Sequence, residues 1–174
     1  MAKQLKKPNA SCVTMTELVL PNDTNTLNKL MGGRLMHWMD IVSAISAQKH
    51  SNRIVVTASA DNISFRHPIE LGDVVTLEAK VTRAFSSSME VYVKVFAENI
   101  PSGTKSQSHS AFFTFVAVDQ GGRPIDVPDL VPETDEEKEM YAGALRRRQL
   151  RLVLAKRMNP EDATELKSIF DVQA

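Results

Sequence analysis

The feature that most constrains this chain is the stretch from Arg34 to His50, a helix with almost no polar side. Leu35, Met36, Trp38, Met39, Ile41, Val42, Ala44, Ile45 and Ala47 cover nearly its whole circumference, which predicts burial on most sides. At ~1.5 Å per residue it is about 25 Å long. That is short of the roughly 20 apolar residues a bilayer core asks for, so its burial is expected inside a curved sheet.

The rest of the sequence supplies such a sheet. Val75, Leu77, Ala79 and Val81 alternate with Thr76, Glu78, Lys80 and Thr82, and Val91, Val93, Val95 and Ala97 alternate with Tyr92, Lys94, Phe96 and Glu98. Period two with one apolar face is the pattern of antiparallel strands. A short strand from Val13 is ended by Pro21, and β-rich runs span Ile54 to Phe65 and Ser110 to Val118. Turn signals stand at Leu71-Gly72-Asp73, Ser86-Ser87-Ser88 and Pro101-Ser102-Gly103. Strand, apolar helix, then four strands is the order of an α+β hotdog, a long antiparallel sheet wrapped around one central helix. Its exposed strand edges predict at least a dimer.

We divide the chain into an N-terminal extension (1–12), the hotdog domain (13–120), a connector (121–133) and a C-terminal helix and tail (134–174). Gly121-Gly122 and the prolines at 124, 128 and 132 mark the connector. Thr134 with Glu137 forms a capping-box signature. Asp135 and Glu136 follow the cap and Arg146, Arg147, Arg148 and Arg151 lie towards the far end, the order a helix dipole favours.

Twenty-one basic residues against 21 acidic ones leave no formal net charge, so neither nucleic acid nor an anionic membrane is an expected partner. Cys12 is the single cysteine, which excludes an internal disulfide and a cysteine-based metal cluster and fits a reducing cytoplasm. The opening MAKQLKKPNA has lysines but no apolar stretch behind them, so a soluble, unprocessed protein is expected.

Asp40 stands among Trp38, Met39, Ile41 and Val42, where an unpaired carboxylate is costly to bury. It is either a general base or nucleophile, or a carboxylate satisfied by Ser43, His37 or a neighbouring strand. Gly32-Gly33, read as lying just before the helix, either offers N–H groups to an oxyanion or is a tight turn that needs glycine. Asn25 is either an amide that orients water or a carbonyl, or a turn residue. Arg146-Arg147-Arg148 is either a phosphate grip or a solvated helix face. His37, His50, His67 and His109 show no metal-ligand spacing, so neither a metal nor another cofactor is expected.

From about residue 16 to 119 the sequence resembles the cytosolic acyl-CoA thioesterases, the brain-type acyl-CoA hydrolases and their single-domain bacterial relatives. The likeness is carried by Leu20-Pro21-Asn22-Asp23-Thr24-Asn25, Gly32-Gly33-Arg34-Leu35-Met36-His37-Trp38-Met39-Asp40, Val55-Val56-Thr57-Ala58-Ser59 and Ser87-Ser88-Met89-Glu90-Val91. The resemblance implies hydrolysis of fatty acyl-CoA, with the catalytic pair on Asp40 and on Asn25 of a partner subunit. It places CoA contacts on Val56, Thr57 and Ala58, on Ser86, Ser87 and Ser88, and on an arginine such as Arg147 or Arg148. The thioester oxyanion would fall on Gly32 and Gly33, and a trimer of dimers is implied. The chain departs from the family at Asn28, usually glycine, and at Met31, often aromatic or histidine. A hydratase or dehydratase of the same fold would need a placed histidine, for which His37 is the helix-interior candidate. A non-catalytic acyl-CoA-binding regulator would need a DNA-binding appendage, and none is seen in the sequence.

Overall fold

The computed structural model describes residues 4–168, apart from the side chain of Asn62. The chain forms two compact units that divide after Val131.

In the first unit, β1 (Leu5–Lys6) leads through a short 3-10 turn into β2 (Val13–Leu18), and α1 runs over Gly32–Ser51. The strands β3 (Ile54–Phe65), β4 (Val74–Ala84), β5 (Ser88–Asn99) and β6 (Thr104–Val118) follow, and β7 (Asp129–Leu130) pairs in parallel with β1. Strands β2 to β6 make one antiparallel sheet in the order β2-β4-β5-β6-β3. Among the described residues strand β3 therefore ends the sheet, with β6 on one side and no strand on the other.

The period-two residues are the core: Val75, Leu77, Ala79, Val81, Val91, Val93 and Val95 are buried and pack with Leu35, Trp38, Met39 and Val42 of α1. The α1 helix touches every strand of this sheet. It ends where Asn52 takes the left-handed conformation (φ 53°) and returns its N–H to the Gln48 carbonyl.

Two expectations about α1 are corrected. It begins at Gly32, so Gly32 and Gly33 are its first turn and not a loop before it. It is also not buried on most sides, because Met36, Ile41 and Ile45 are 37–41% exposed in the single chain. The sheet covers one face of the helix only, and apolar residues on the other face remain open to a second surface.

The N-terminal extension is part of this unit. Ser46 Oγ donates to the Ser11 carbonyl (2.8 Å), and Ser11 Oγ accepts the Val81 N–H (3.0 Å). These bonds fasten α1 to β4 just ahead of the first residue of β2. The His50 Nε2–H donates to the Pro128 carbonyl (2.8 Å), which links the helix end to the segment before β7.

The second unit is built on α2 (Asp135–Leu154), followed by a 3-10 turn and α3 (Thr164–Lys167). The capping box forms as the sequence predicts: Thr134 Oγ1 accepts the Glu137 N–H and the Glu137 carboxylate accepts the Thr134 N–H, both at 3.2 Å. Gln149 Oε1 accepts the Leu166 N–H (2.9 Å), tying α3 to α2.

Met39 is fully buried between helix and sheet. Met39→Ala should lower stability by about 2–5 kcal/mol, measured by urea unfolding at fixed protein concentration. His50 has its pKa lowered from 6.5, first by burial and then by the charge of Lys6, against the opposing effects of the Pro128 bond and Asp129. The unfolded chain thus binds this proton more readily, and stability should fall as pH drops below about 6.5. The same titration on His50→Gln should show a shallower fall.

Candidate active site

Thr57 in β3 pairs with Phe115, which lies buried in the core. Partners across a ladder point to the same face, so Thr57 also faces α1. Its Oγ1 donates to Asp40 Oδ1 at 2.8 Å. Asp40 is half-buried, not sealed, and its Oδ2 has no partner among the described residues. The carboxylate is thus held by a neighbouring strand through one oxygen and free to take a proton through the other.

Seven residues separate Gly33 from Asp40, two turns of helix that bring both to one side of α1. Met31 precedes the helix without a side-chain cap. The N–H groups of Gly32, Gly33 and Arg34 therefore have no partner among the described residues. Neither glycine has positive φ, so backbone freedom is not the reason for them. A Cβ on Gly32 would rest 3.6 Å from the Phe65 ring, and one on Gly33 would meet nothing within 4 Å. Two glycines in a first turn cost about 0.5–1 kcal/mol each relative to alanine. What they provide is bare backbone that a ligand can approach.

Asn25 lies in the exposed loop before α1. Its Oδ1 accepts the N–H groups of Leu27 (2.9 Å) and Lys29 (3.2 Å). The Nδ2 group has no partner among the described residues, so what Asn25 offers outward is a donor. The turn and the functional reading are therefore compatible. Asn28 supplies the left-handed residue of this loop (φ 55°), which asparagine accepts in place of glycine. The loop is held to the rest of the unit by the Lys29–Glu70 ion pair and by the Leu30 N–H, which donates to the Ile69 carbonyl (2.8 Å).

Val56 and Ser88 both pair with Val116, so they share one rung of the sheet, about 10 Å apart at ~4.8 Å per strand. That rung faces away from α1, opposite to Thr57. Ala58 falls at the register shift between Thr57 and Ser59. Ser86 and Ser87 form the turn before β5, their carbonyls accepting from Val127 (2.9 Å) and Ala117 (2.8 Å). Arg147 and Arg148 belong to α2, where the Arg147 Nη2 donates to the Met140 carbonyl (2.9 Å).

The sequence reading missed a cleft of about 300 Å³ beside Gly32, whose walls include Leu30, Leu35, Phe65, Ile69, His67 and His109. His109 is only 5% exposed, and the Phe65 ring meets it edge-on at 5.2 Å. Burial, with the charge of His67 adding to it, pushes the His109 imidazole down to about 4, so it is neutral at pH 7. Its place inside a strand of otherwise apolar inward residues was the available signal. Among the described residues no group of three or more His, Cys, Asp or Glu is placed to hold a metal, and no helix is long and apolar enough to cross a membrane.

Known proteins share this fold and part of this sequence. A family model described as thioesterase superfamily matches residues 27–104. A Bacillus subtilis protein named uncharacterized acyl-CoA thioester hydrolase YkhA is 45% identical over 137 residues, 79% of this chain and 80% of that protein. The crystal structure of an apo-hexameric acyl-CoA thioesterase is 40% identical, with a TM-score of 0.84 over 87% of this chain and 97% of that one. The Staphylococcus aureus acyl-CoA hydrolase, solved with butyryl coenzyme A, coenzyme A and coenzyme A disulfide, is 37% identical, with a TM-score of 0.80 over 87% of this chain and 94% of that one. That enzyme has also been solved with an asparagine, an aspartate and a threonine each replaced by alanine. Their separations, 15 residues and then 17, are those of Asn25, Asp40 and Thr57. The chain spans 25% of the length of mammalian relatives that it also matches. A half-free carboxylate on the central helix, an uncapped Gly-Gly start and relatives matched over most of their length lead to one conclusion: the chain belongs to the thioesterase superfamily, among its acyl-CoA thioester hydrolases.

Proposed function

We propose that the chain hydrolyses acyl-CoA to a free acid and CoA at a site shared between two copies. The observation that carries this is Asp40, with one oxygen fixed by Thr57 and the other unbound, on a helix whose first turn leaves its N–H groups bare. Along α1 those donors lie about 10 Å from Asp40 at ~1.5 Å per residue, whereas a reacting carbonyl needs base and donors each within roughly 3 Å. A second copy resolves the mismatch. Asn25 and Gly32 are close in the chain, so a neighbouring copy that brings its Asn25 to Asp40 brings its helix start too.

In this reading Asp40 Oδ2 takes a proton from water while the water oxygen bonds to the thioester carbon. The negative charge moves to the carbonyl oxygen, held by the Gly33 N–H and the Asn25 Nδ2–H of the other copy. Collapse breaks the C–S bond, and the proton returns to the CoA sulfur. A direct attack by Asp40 would use the same groups. CoA contacts fall to Val56, Thr57, Ala58, Ser86, Ser87 and Ser88 and to Arg147 or Arg148, in keeping with the shared rung of Val56 and Ser88.

The open surfaces support association. Ile54, Val56 and Phe65 on the edge strand β3 are 48–58% exposed, and Met36, Ile41 and Ile45 lie open on α1. An unpaired strand edge next to an apolar ridge fits a second copy, and we take the assembly to be a trimer of dimers. The exposed free thiol of Cys12 suits the reducing cytoplasm, where we place the protein.

Asp40→Asn should lower kcat for acyl-CoA by about 10²–10⁴-fold with the fold retained, read by thiol release; unchanged turnover removes Asp40 from the mechanism. Asp40→Asn and Asn25→Ala, co-refolded in equal amounts, should recover about a quarter of wild-type activity, because each mixed pair holds one intact site. No recovery would place both residues in the same copy's site. Ile45→Lys should shift the protein to smaller species in light scattering, with loss of activity in step.

A further inference from the structure

The cleft beside Gly32 contains a group that the proposed hydrolysis does not use. His109 Nδ1 is sealed from solvent and has no hydrogen-bond partner among the described residues. Its Nε2 is bonded to nothing among the described residues either, but it is not a sealed atom, and His109 is one of the residues that line the cleft. Of the other polar groups on this wall, Lys29 pairs with Glu70, the Arg66 Nε–H donates to Ser64 Oγ (3.2 Å), and His67 is exposed to solvent. Leu30, Leu35, Phe65 and Ile69 make the remaining lining apolar.

A plain alkyl chain pressed into this cleft would strip water from Nε2 and leave the ring with neither nitrogen bonded, which is unfavourable for a buried imidazole. An acyl chain with an oxygen at that point would not. A hydroxyl serves either tautomer of a neutral imidazole, and an oxo group serves the Nε2–H tautomer. At ~30 Å³ for a water-sized group, the cleft has room for about ten non-hydrogen atoms, more than the roughly six of an oxygenated four-carbon acyl group.

We propose that His109 is a specificity-determining residue whose Nε2 hydrogen-bonds an oxygen on the acyl chain, so that the enzyme selects short hydroxyacyl- or oxoacyl-CoA over unsubstituted acyl-CoA of the same length. This rests on the reading that the thioester carbonyl lies at the start of α1, which points the acyl group into the adjoining cleft.

The test is kcat/KM for 3-hydroxybutyryl-CoA, acetoacetyl-CoA and butyryl-CoA on the wild-type oligomer, His109→Leu and His109→Gln. The wild type should favour at least one oxygenated substrate over butyryl-CoA by about tenfold or more. His109→Leu should abolish that preference, and His109→Gln, which keeps a donor and an acceptor, should retain part of it. The ratio is internal to each variant, so a general loss of folding does not mimic the result. Equal ratios in wild type and His109→Leu, or a wild type that favours butyryl-CoA, overturn the assignment while leaving hydrolysis intact. Absence of thiol release from all three substrates would instead count against the hydrolase reading.

Discussion

The hydrogen bond from Thr57 to Asp40 joins the open edge of the sheet to the helix the sheet curves around, and the site depends on it. A carboxylate on a helix can rotate through several positions. One strong acceptor contact holds one oxygen and leaves the other directed away from the strand. The bond depends on the register of β3 against β6, because Thr57 reaches α1 only while it lies opposite Phe115. A one-residue slip would turn Thr57 to the outer face and put Val56 or Ala58 against the carboxylate. The irregularity that follows Thr57 separates this pairing from the rest of the strand, which resumes one residue out of step.

The same region is where the single chain is least complete. The α1 helix buries one face against the sheet and leaves Met36, Ile41 and Ile45 partly open beside Asp40, while β3 ends the sheet with apolar side chains exposed. A first turn of two glycines and no cap adds backbone donors without a partner. Each of these costs something in an isolated fold, and all three lie on or beside α1. In the proposed shared site one event, docking of a second copy with substrate between, satisfies them together.

His109 is a different kind of departure from the packing rules. It sits at an inward position of β6, where a valine or phenylalanine would fill the same space without an unpaired nitrogen. Burial keeps it uncharged near neutral pH, so it acts as a neutral hydrogen-bonding group in the cleft and not as a cation.

Much of the architecture was legible in the residues because local pattern and global fold agree. Alternation over Val75–Val81 and Val91–Val95, the turn at Gly72 and the Thr134–Glu137 box each specify structure within a few residues, and each appears where expected. Asp40, Asn25 and the Gly-Gly pair could be singled out as polar or unusual residues against an apolar background. Three matters lay beyond sequence. The open face of α1 was invisible because an apolar side chain looks the same whether it meets its own sheet or another surface. The start of α1 at Gly32 was missed because glycine is a poor helix former, and packing overrode its preference. The Thr57–Asp40 bond and the His109 cleft join residues far apart in the chain, and only the pairing of β3 with β6 over α1 brings them together.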